Sequence, residues 1–177
     1  MKMLGLLRHA KSAWDDVTSR DYDRGLSTRG RRGAALIGAH IAAQPVGWDF
    51  VLASPAERVR RTLEAGGLEL EVRFDERVYL ADAALLVELL RQAGGAAGAV
   101  LVAGHNPGLQ ELAFRLVDPG RENALFDRAA EKFPTAAFAV LECAIDDWAE
   151  LAPGCAALVH FARPRDLDPA LGPAASG

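Results

Sequence analysis

Cysteine is nearly missing from this chain: Cys143 and Cys155 are the two among 177 residues. Two thiols cannot staple a small fold, and their spacing matches no metal knuckle, so a disulfide framework is excluded and a reducing, cytoplasmic setting is expected. A long apolar run is missing too. The first, Met3 to Leu7, is interrupted by Arg8, which makes it too short for a signal-peptide core or a membrane span. Basic charge is not in excess: 20 Lys and Arg against 24 Asp and Glu give a net charge of −4 and a pI near 5.6. No global positive field is therefore offered to nucleic acid or to an anionic membrane. Lysine is scarce, with only Lys2, Lys11 and Lys132, and the histidines are four: His9, His40, His105 and His160.

What is present is apolar and periodic. Half of the residues are hydrophobic, enough for one compact domain with a sizeable core. Short runs of strand length alternate with segments of helical period, the pattern of βαβ units around a mainly parallel sheet with helices on both sides. Strands are predicted at Met3–Leu7, Asp49–Ala53, Glu71–Phe74, Ala99–Ala103, Ala137–Cys143 and Ala157–Phe161. Helices are predicted from Ser27 or Thr28 to Ala43, after Ser54, over Asp82–Ala93, and from Asn106 to about Val117. Ser54-Pro55-Ala56-Glu57 has the form of a capping box with proline at the first helical position, and Asn106-Pro107 repeats the cap-then-proline device. The domain is expected to span 1–163, with a flexible Pro, Ala and Gly-rich tail over 164–177. Links from helix to strand are short, which leaves little material for a lid over a site.

Three of the strands end in polar groups: Arg8-His9, Ser54-Pro55-Ala56-Glu57-Arg58, and Gly104-His105-Asn106-Pro107-Gly108. In open α/β sheets that edge is where ligands bind. Fork-shaped guanidiniums and a neutral imidazole with one free nitrogen are what phosphoryl transfer requires. His9 is the candidate nucleophile, Arg8 and Arg58 the candidate phosphate clamp, and His105 a donor to phosphoryl oxygens. A single histidine after a strand is ordinarily a polar loop residue, and a single Ser-Pro-x-x-Arg is a helix cap with a surface cation. The combination at three strand ends is what carries the reading. His40, on the apolar stripe of a helix, and His160, inside an apolar run, read as structural. No carboxylate or histidine cluster has metal-ligand spacing.

Together these residues resemble the histidine phosphatase superfamily, and most of all the small SixA-type phosphohistidine phosphatases. The resemblance runs over roughly residues 1–163 and includes Leu7-Arg8-His9-Ala10-Lys11-Ser12, Asp23-Arg24-Gly25-Leu26-Ser27, Asp75-Glu76-Arg77-Val78-Tyr79 and Pro134-Thr135-Ala136. It implies a single three-layer, phosphoglycerate mutase-like α/β domain, transient phosphorylation of His9, and a pocket completed by Arg8, Arg58 and His105. It also implies Arg24 as a phosphate contact, with no metal and no organic cofactor. Glu76 aligns with the general-acid position of mutase-type members. Lys11, Ser12 and Asn106 are further candidate substrate contacts. The chain departs from the wider family in carrying Ala10 where glycine is usual and Gly25 where proline is usual. The expected partner is a phosphorylated protein, with a small phosphorylated metabolite as the enzyme alternative and a non-catalytic reader of phosphorylated partners as the rival of another class.

Overall fold

A computed structural model describes residues 1–172. Six strands, β1 (Lys2–Arg8), β2 (Phe50–Ala53), β3 (Val72–Phe74), β4 (Ala99–Gly104), β5 (Phe138–Cys143) and β6 (Ala156–Ala162), form one sheet in the order β3-β2-β4-β1-β5-β6. The pairs β3–β2, β2–β4 and β4–β1 are parallel, while β5 runs antiparallel to both β1 and β6. Six helices complete the domain: α1 (Thr28–Ala42), α2 (Glu57–Gly66), α3 (Ala83–Ala93), α4 (Gly108–Leu116), α5 (Ala124–Glu131) and the short α6 (Pro164–Leu167).

The central strands are apolar on both faces because both faces are covered. Along β4, Val100 and Val102 join the cluster built with Leu86, Leu90, Leu109 and Leu112 of α3 and α4. Leu101 and Ala103, one residue out of phase, join Ile37, Ile41, Val59 and Leu63 of α1 and α2. The period of two thus divides each strand between two cores and gives three layers. Leu101, Leu109 and Leu90 are fully buried, and truncating any of them to Ala should cost about 2–5 kcal/mol.

The ends of the helices depart from expectation in informative ways. Ser27 caps α1 and Asp82 caps α3, each accepting from a backbone N–H three residues on. Ser54 does not cap α2. Its hydroxyl accepts from Ala56 N–H at 3.2 Å and lies 2.8 Å from His105, so the helix begins only at Glu57, whose carboxylate pairs with Arg61 instead. Likewise α4 begins at Gly108, while Asn106 Oδ1 accepts from Gln110 N–H at 3.2 Å. Helix α5 was not anticipated. Residues 164–172, within the expected tail, contain α6 and touch the domain: Pro164 is buried, Arg32 pairs with Asp168 and Arg29 donates to the Gly172 carbonyl. The rest of the expected tail, 173–177, lies outside the described residues. The link from β1 to α1, unlike the short helix-to-strand links, is long. Residues 9–27 are long enough to reach across to α2 and the 3-10 turn Glu76–Val78.

Candidate active site

Strands β2, β4 and β1 are adjacent and parallel, so their carboxyl ends share one edge, and backbone bonds lace those ends together. His9 N–H donates to the Gly104 carbonyl at 3.1 Å, and Ser54 N–H to the Ala103 carbonyl at 3.0 Å. The geometry brings His9, His105, Arg8 and Arg58 to this edge. The His9 and His105 ring centroids are 5.4 Å apart, and both residues are buried, at 8% and 4% exposure.

Each imidazole has a fixed tautomer. His9 Nδ1 lies 2.7 Å from the Ala10 carbonyl, which can only accept, so Nδ1 carries the proton and Nε2 keeps its lone pair. His105 Nδ1 faces Arg58 Nη2 at 3.3 Å; a guanidinium can only donate, so here Nδ1 is the acceptor and Nε2–H donates to Ser54 Oγ at 2.8 Å. Burial, with the charges of Arg58 and Arg8 added, pushes His9 down to about 4. Burial and then Arg58 push His105 down to about 3. Both are therefore neutral near pH 7.

The cations are held from behind. Arg8 Nη1 donates to the Phe133 carbonyl at 3.0 Å, while its Nε is buried with no partner among the described residues. Burial, and then the charge of Arg58, lowers the Arg8 pKa from its ordinary value. Arg58 donates to the Asp21 carbonyl at 2.7 Å and to its Oδ2 at 2.9 Å. Tyr79 O–H donates to that same carboxylate oxygen at 2.5 Å, and this bond, followed by Arg58, holds the Asp21 carboxyl below the usual carboxylate range. Thr62, one turn beyond Arg58, donates to the Arg58 carbonyl at 2.6 Å and accepts from Ala10 N–H at 2.8 Å. It therefore ties α2 to the backbone just after His9.

Other candidates fall elsewhere. The Arg24 guanidinium donates to the carbonyls of Asp16 and Ser19 and stacks over Trp14 at 3.9 Å, so it braces the 14–24 loop and makes no bond to the cluster. Asn106 is occupied as scaffold, donating to the Phe133 carbonyl at 3.0 Å beside Arg8. Lys11 is exposed, and its carbonyl accepts from Ser27 N–H at 3.0 Å. Gly30 is required there: a Cβ would come within 2.1 Å of the Lys11 carbonyl oxygen. Ser12 bridges to Leu26 and makes no side-chain hydrogen bond among the described residues. Glu76 is exposed at the rim, accepting from Tyr22 O–H at 3.0 and 3.2 Å, and Tyr22 packs edge-on against Tyr79. The sequence reading missed Asp21, Tyr79, Ser54 and Thr62 as parts of this network. Asp21 carries no motif signal. Ser54 has the sequence of a cap, and Thr62 lies one helical turn beyond Arg58.

An arrangement of two guanidiniums and two neutral imidazoles, one with a free nitrogen, suits an incoming phosphoryl dianion. Comparison with known proteins agrees. Residues 4–85 match the model of the histidine phosphatase superfamily (branch 1). An uncharacterised protein of Mycobacterium tuberculosis is 42% identical over 160 residues, covering 90% of this chain and 100% of that relative. A candidate phosphohistidine phosphatase SixA from Nakamurella multipartitia superposes with a TM-score of 0.82 at 30% identity, over 92% of this chain and 96% of that one. The protein histidine phosphatase SixA complexed with tungstate shares the fold, with a TM-score of 0.73 at 24% identity over 94% and 99% of the two chains. The chain belongs to the histidine phosphatase superfamily, as a SixA-type phosphatase.

Proposed function

We propose that the chain removes phosphoryl groups from phosphohistidine on a protein, in two transfers through His9 and without a metal ion. The observation that carries this reading is the tautomer of His9, whose Nδ1–H is engaged by the Ala10 carbonyl and whose Nε2 is the free nitrogen beside Arg8, Arg58 and His105. In the first transfer Nε2 attacks phosphorus and the P–N bond of the substrate breaks. A substrate imidazole protonated on its distal nitrogen leaves as a neutral ring, so no enzymic proton is needed. Phospho-His9 then has the same form, with its Nδ1 proton retained by Ala10. Water attacks phosphorus, the P–Nε2 bond breaks, neutral imidazole returns and dihydrogen phosphate leaves.

Arg8 and Arg58 neutralise the equatorial oxygens, the task a metal performs in other phosphoryl transferases. Among the described residues no three His, Cys, Asp or Glu side chains are grouped to hold a metal ion. Arg58 helps keep His105 neutral; a bound dianion opposes that effect and raises its proton affinity, so His105 gains a donor where charge develops. A module that merely recognised phosphorylated partners would need the guanidiniums but not an imidazole with one nitrogen fixed and the other free. The test is turnover of a phosphohistidine peptide and of alkyl and aryl phosphomonoesters, each with and without EDTA, followed by acid quenching. Peptide turnover that survives chelation, with an acid-labile phosphate on the enzyme, is expected. A strict need for Mg²⁺ or Zn²⁺, label on serine or aspartate, or turnover of the esters alone would overturn the reading.

A further inference from the structure

Next to the reaction site lies a cavity that the chemistry above does not use. Its volume is about 200 Å³, and it opens between the first turns of α1, the 132–136 segment and α6. Its wall carries Lys11, Arg29, Lys132, Arg163 and Arg165 and no aspartate or glutamate. That reverses the balance of the whole chain, in which acids outnumber bases by 24 to 20. Two of the three lysines in the chain meet here from segments far apart in sequence. Arg163 is taken by Asp166 at 3.0 Å, and Arg29 by the Gly172 carbonyl. The side chains of Lys11, Lys132 and Arg165 have no hydrogen-bond or ion-pair partner among the described residues. Three uncompensated cations around one concavity raise its potential and favour an anion there.

The cavity is continuous with the backbone of the reaction site. Ala10 and Lys11, both in its wall, follow His9 directly, and consecutive Cα atoms are about 3.8 Å apart, so the wall begins within about 8 Å of His9. Ala136, on the opposite wall, donates its N–H to the carbonyls of both Arg8 and His9, at 3.1 and 2.9 Å. We propose that this cavity is a docking subsite for the acidic flank of a phosphoprotein, with carboxylates a few residues from the phosphohistidine seated among Lys11, Lys132 and Arg165. The proposal rests on the phosphohistidine-protein reading and adds a sequence preference to it. An extended peptide advances about 3.3 Å per residue, so an acid two to four positions from the phosphohistidine spans the separation. Carboxylates fit better than a second phosphate. Ammonium groups on flexible stems read charge without demanding fork geometry, and two of the three arginine forks in the wall are already occupied.

The experiment compares kcat/KM for two phosphohistidine peptides of equal length, one with glutamates on both flanks and one with glutamines, using the wild type and the double variant Lys132→Gln/Arg165→Gln. An aryl phosphate, which has no peptide flank, serves as a third substrate. The wild type should prefer the acidic peptide by about tenfold, and the preference should shrink as salt rises. In the double variant the ratio of the two peptides should fall close to one. Because the readout is a ratio, a change in the amount of folded enzyme cancels. Equal use of both peptides by the wild type, or a preference that survives in the double variant, would overturn the subsite while leaving phosphohistidine hydrolysis intact. Hydrolysis of the aryl phosphate with no turnover of either peptide would overturn both.

Discussion

His9 and His105 lie with ring centroids 5.4 Å apart, and His40 and His160 with theirs 5.0 Å apart, yet the two pairs are set up for different chemistry. In the first pair each ring is held by a different neighbour, Ala10 for one and Ser54 with Arg58 for the other, and one Nε2 is left over. In the second pair the two Nε2 atoms face each other at 2.8 Å, one donating and one accepting, and Gln44 Nε2 adds a contact at 3.3 Å. Phe138 packs against both rings of that pair, and no arginine is bonded to it. Proximity of imidazoles is thus not what separates the two pairs; a nitrogen left unengaged beside two guanidiniums is.

The largest expected effect sharpens this contrast directly. His9→Ala should reduce turnover to background and abolish the acid-labile phosphoenzyme, while His40→Gln and His160→Gln should keep kcat within about twofold. Rapid-quench assays on folded protein check both arms, and a His40 or His160 variant as inactive as His9→Ala would break the comparison. Next in size is the clamp. Arg58→Ala removes a donor to the developing charge and should slow turnover by about 10²–10³. Arg24→Ala, whose guanidinium braces the 14–24 loop, should cost tenfold or less; equal losses would mean that the loop carries Arg24 into the pocket when substrate binds.

A smaller effect concerns the rim. Glu76→Gln should lower the rate on an alkyl phosphomonoester at least tenfold further than on a phosphohistidine peptide, because an alkoxide needs a proton on leaving and imidazole does not. Identical losses on the two substrates would assign Glu76 to a shared step such as activation of water. The smallest effect is on stability. The unfolded chain takes up protons on histidine near pH 6.5, whereas folded His9 and His105 do so only near about 4 and about 3. Stability is therefore unaffected by these two groups above about 6.5 and is lost progressively as pH falls below it, a loss that for His9 reaches on the order of 3 kcal/mol as pH nears the folded value of about 4. His40 and His160, also lowered by burial, act with the same sign. Urea midpoints measured from pH 7 to 4 should fall less steeply in His9→Ala/His105→Ala than in the wild type; parallel slopes would contradict the burial account of both shifts.

Much of this was readable from the sequence where it depended on neighbours along the chain. The strands β1, β2 and β4, the extents of α1 and α3, and the arrival of His9 and His105 at strand ends all follow from local period and turn chemistry. What escaped was decided by contacts between distant segments. Ser54 has the sequence of a cap, but its hydroxyl is claimed by a histidine from another strand. Arg24 sits in a motif that suggests phosphate, but Trp14 and the carbonyls of Asp16 and Ser19 claim it first. Asp21 and Tyr79 come from a loop and a strand-to-helix link without period, so nothing local announces that they would meet on Arg58. The attachments of 164–172, Asp168 to Arg32 and Gly172 to Arg29, lie across the molecule and have no local signal either.

One four-residue stretch, Phe133 to Ala136, has a bearing on how such an enzyme can change over generations. Its first carbonyl anchors Arg8 and Asn106, and its last N–H, at a residue with φ of +59°, anchors the strand end that presents His9. The last three residues of the stretch, Pro134 to Ala136, line the basic cavity. Insertions or substitutions here that favoured a new partner would also displace the reacting imidazole, so recognition and rate cannot drift apart through this route. Side chains at Lys132 and Arg165, whose backbone anchors neither Arg8 nor His9, are where a lineage could exchange one partner for another without retuning the reaction.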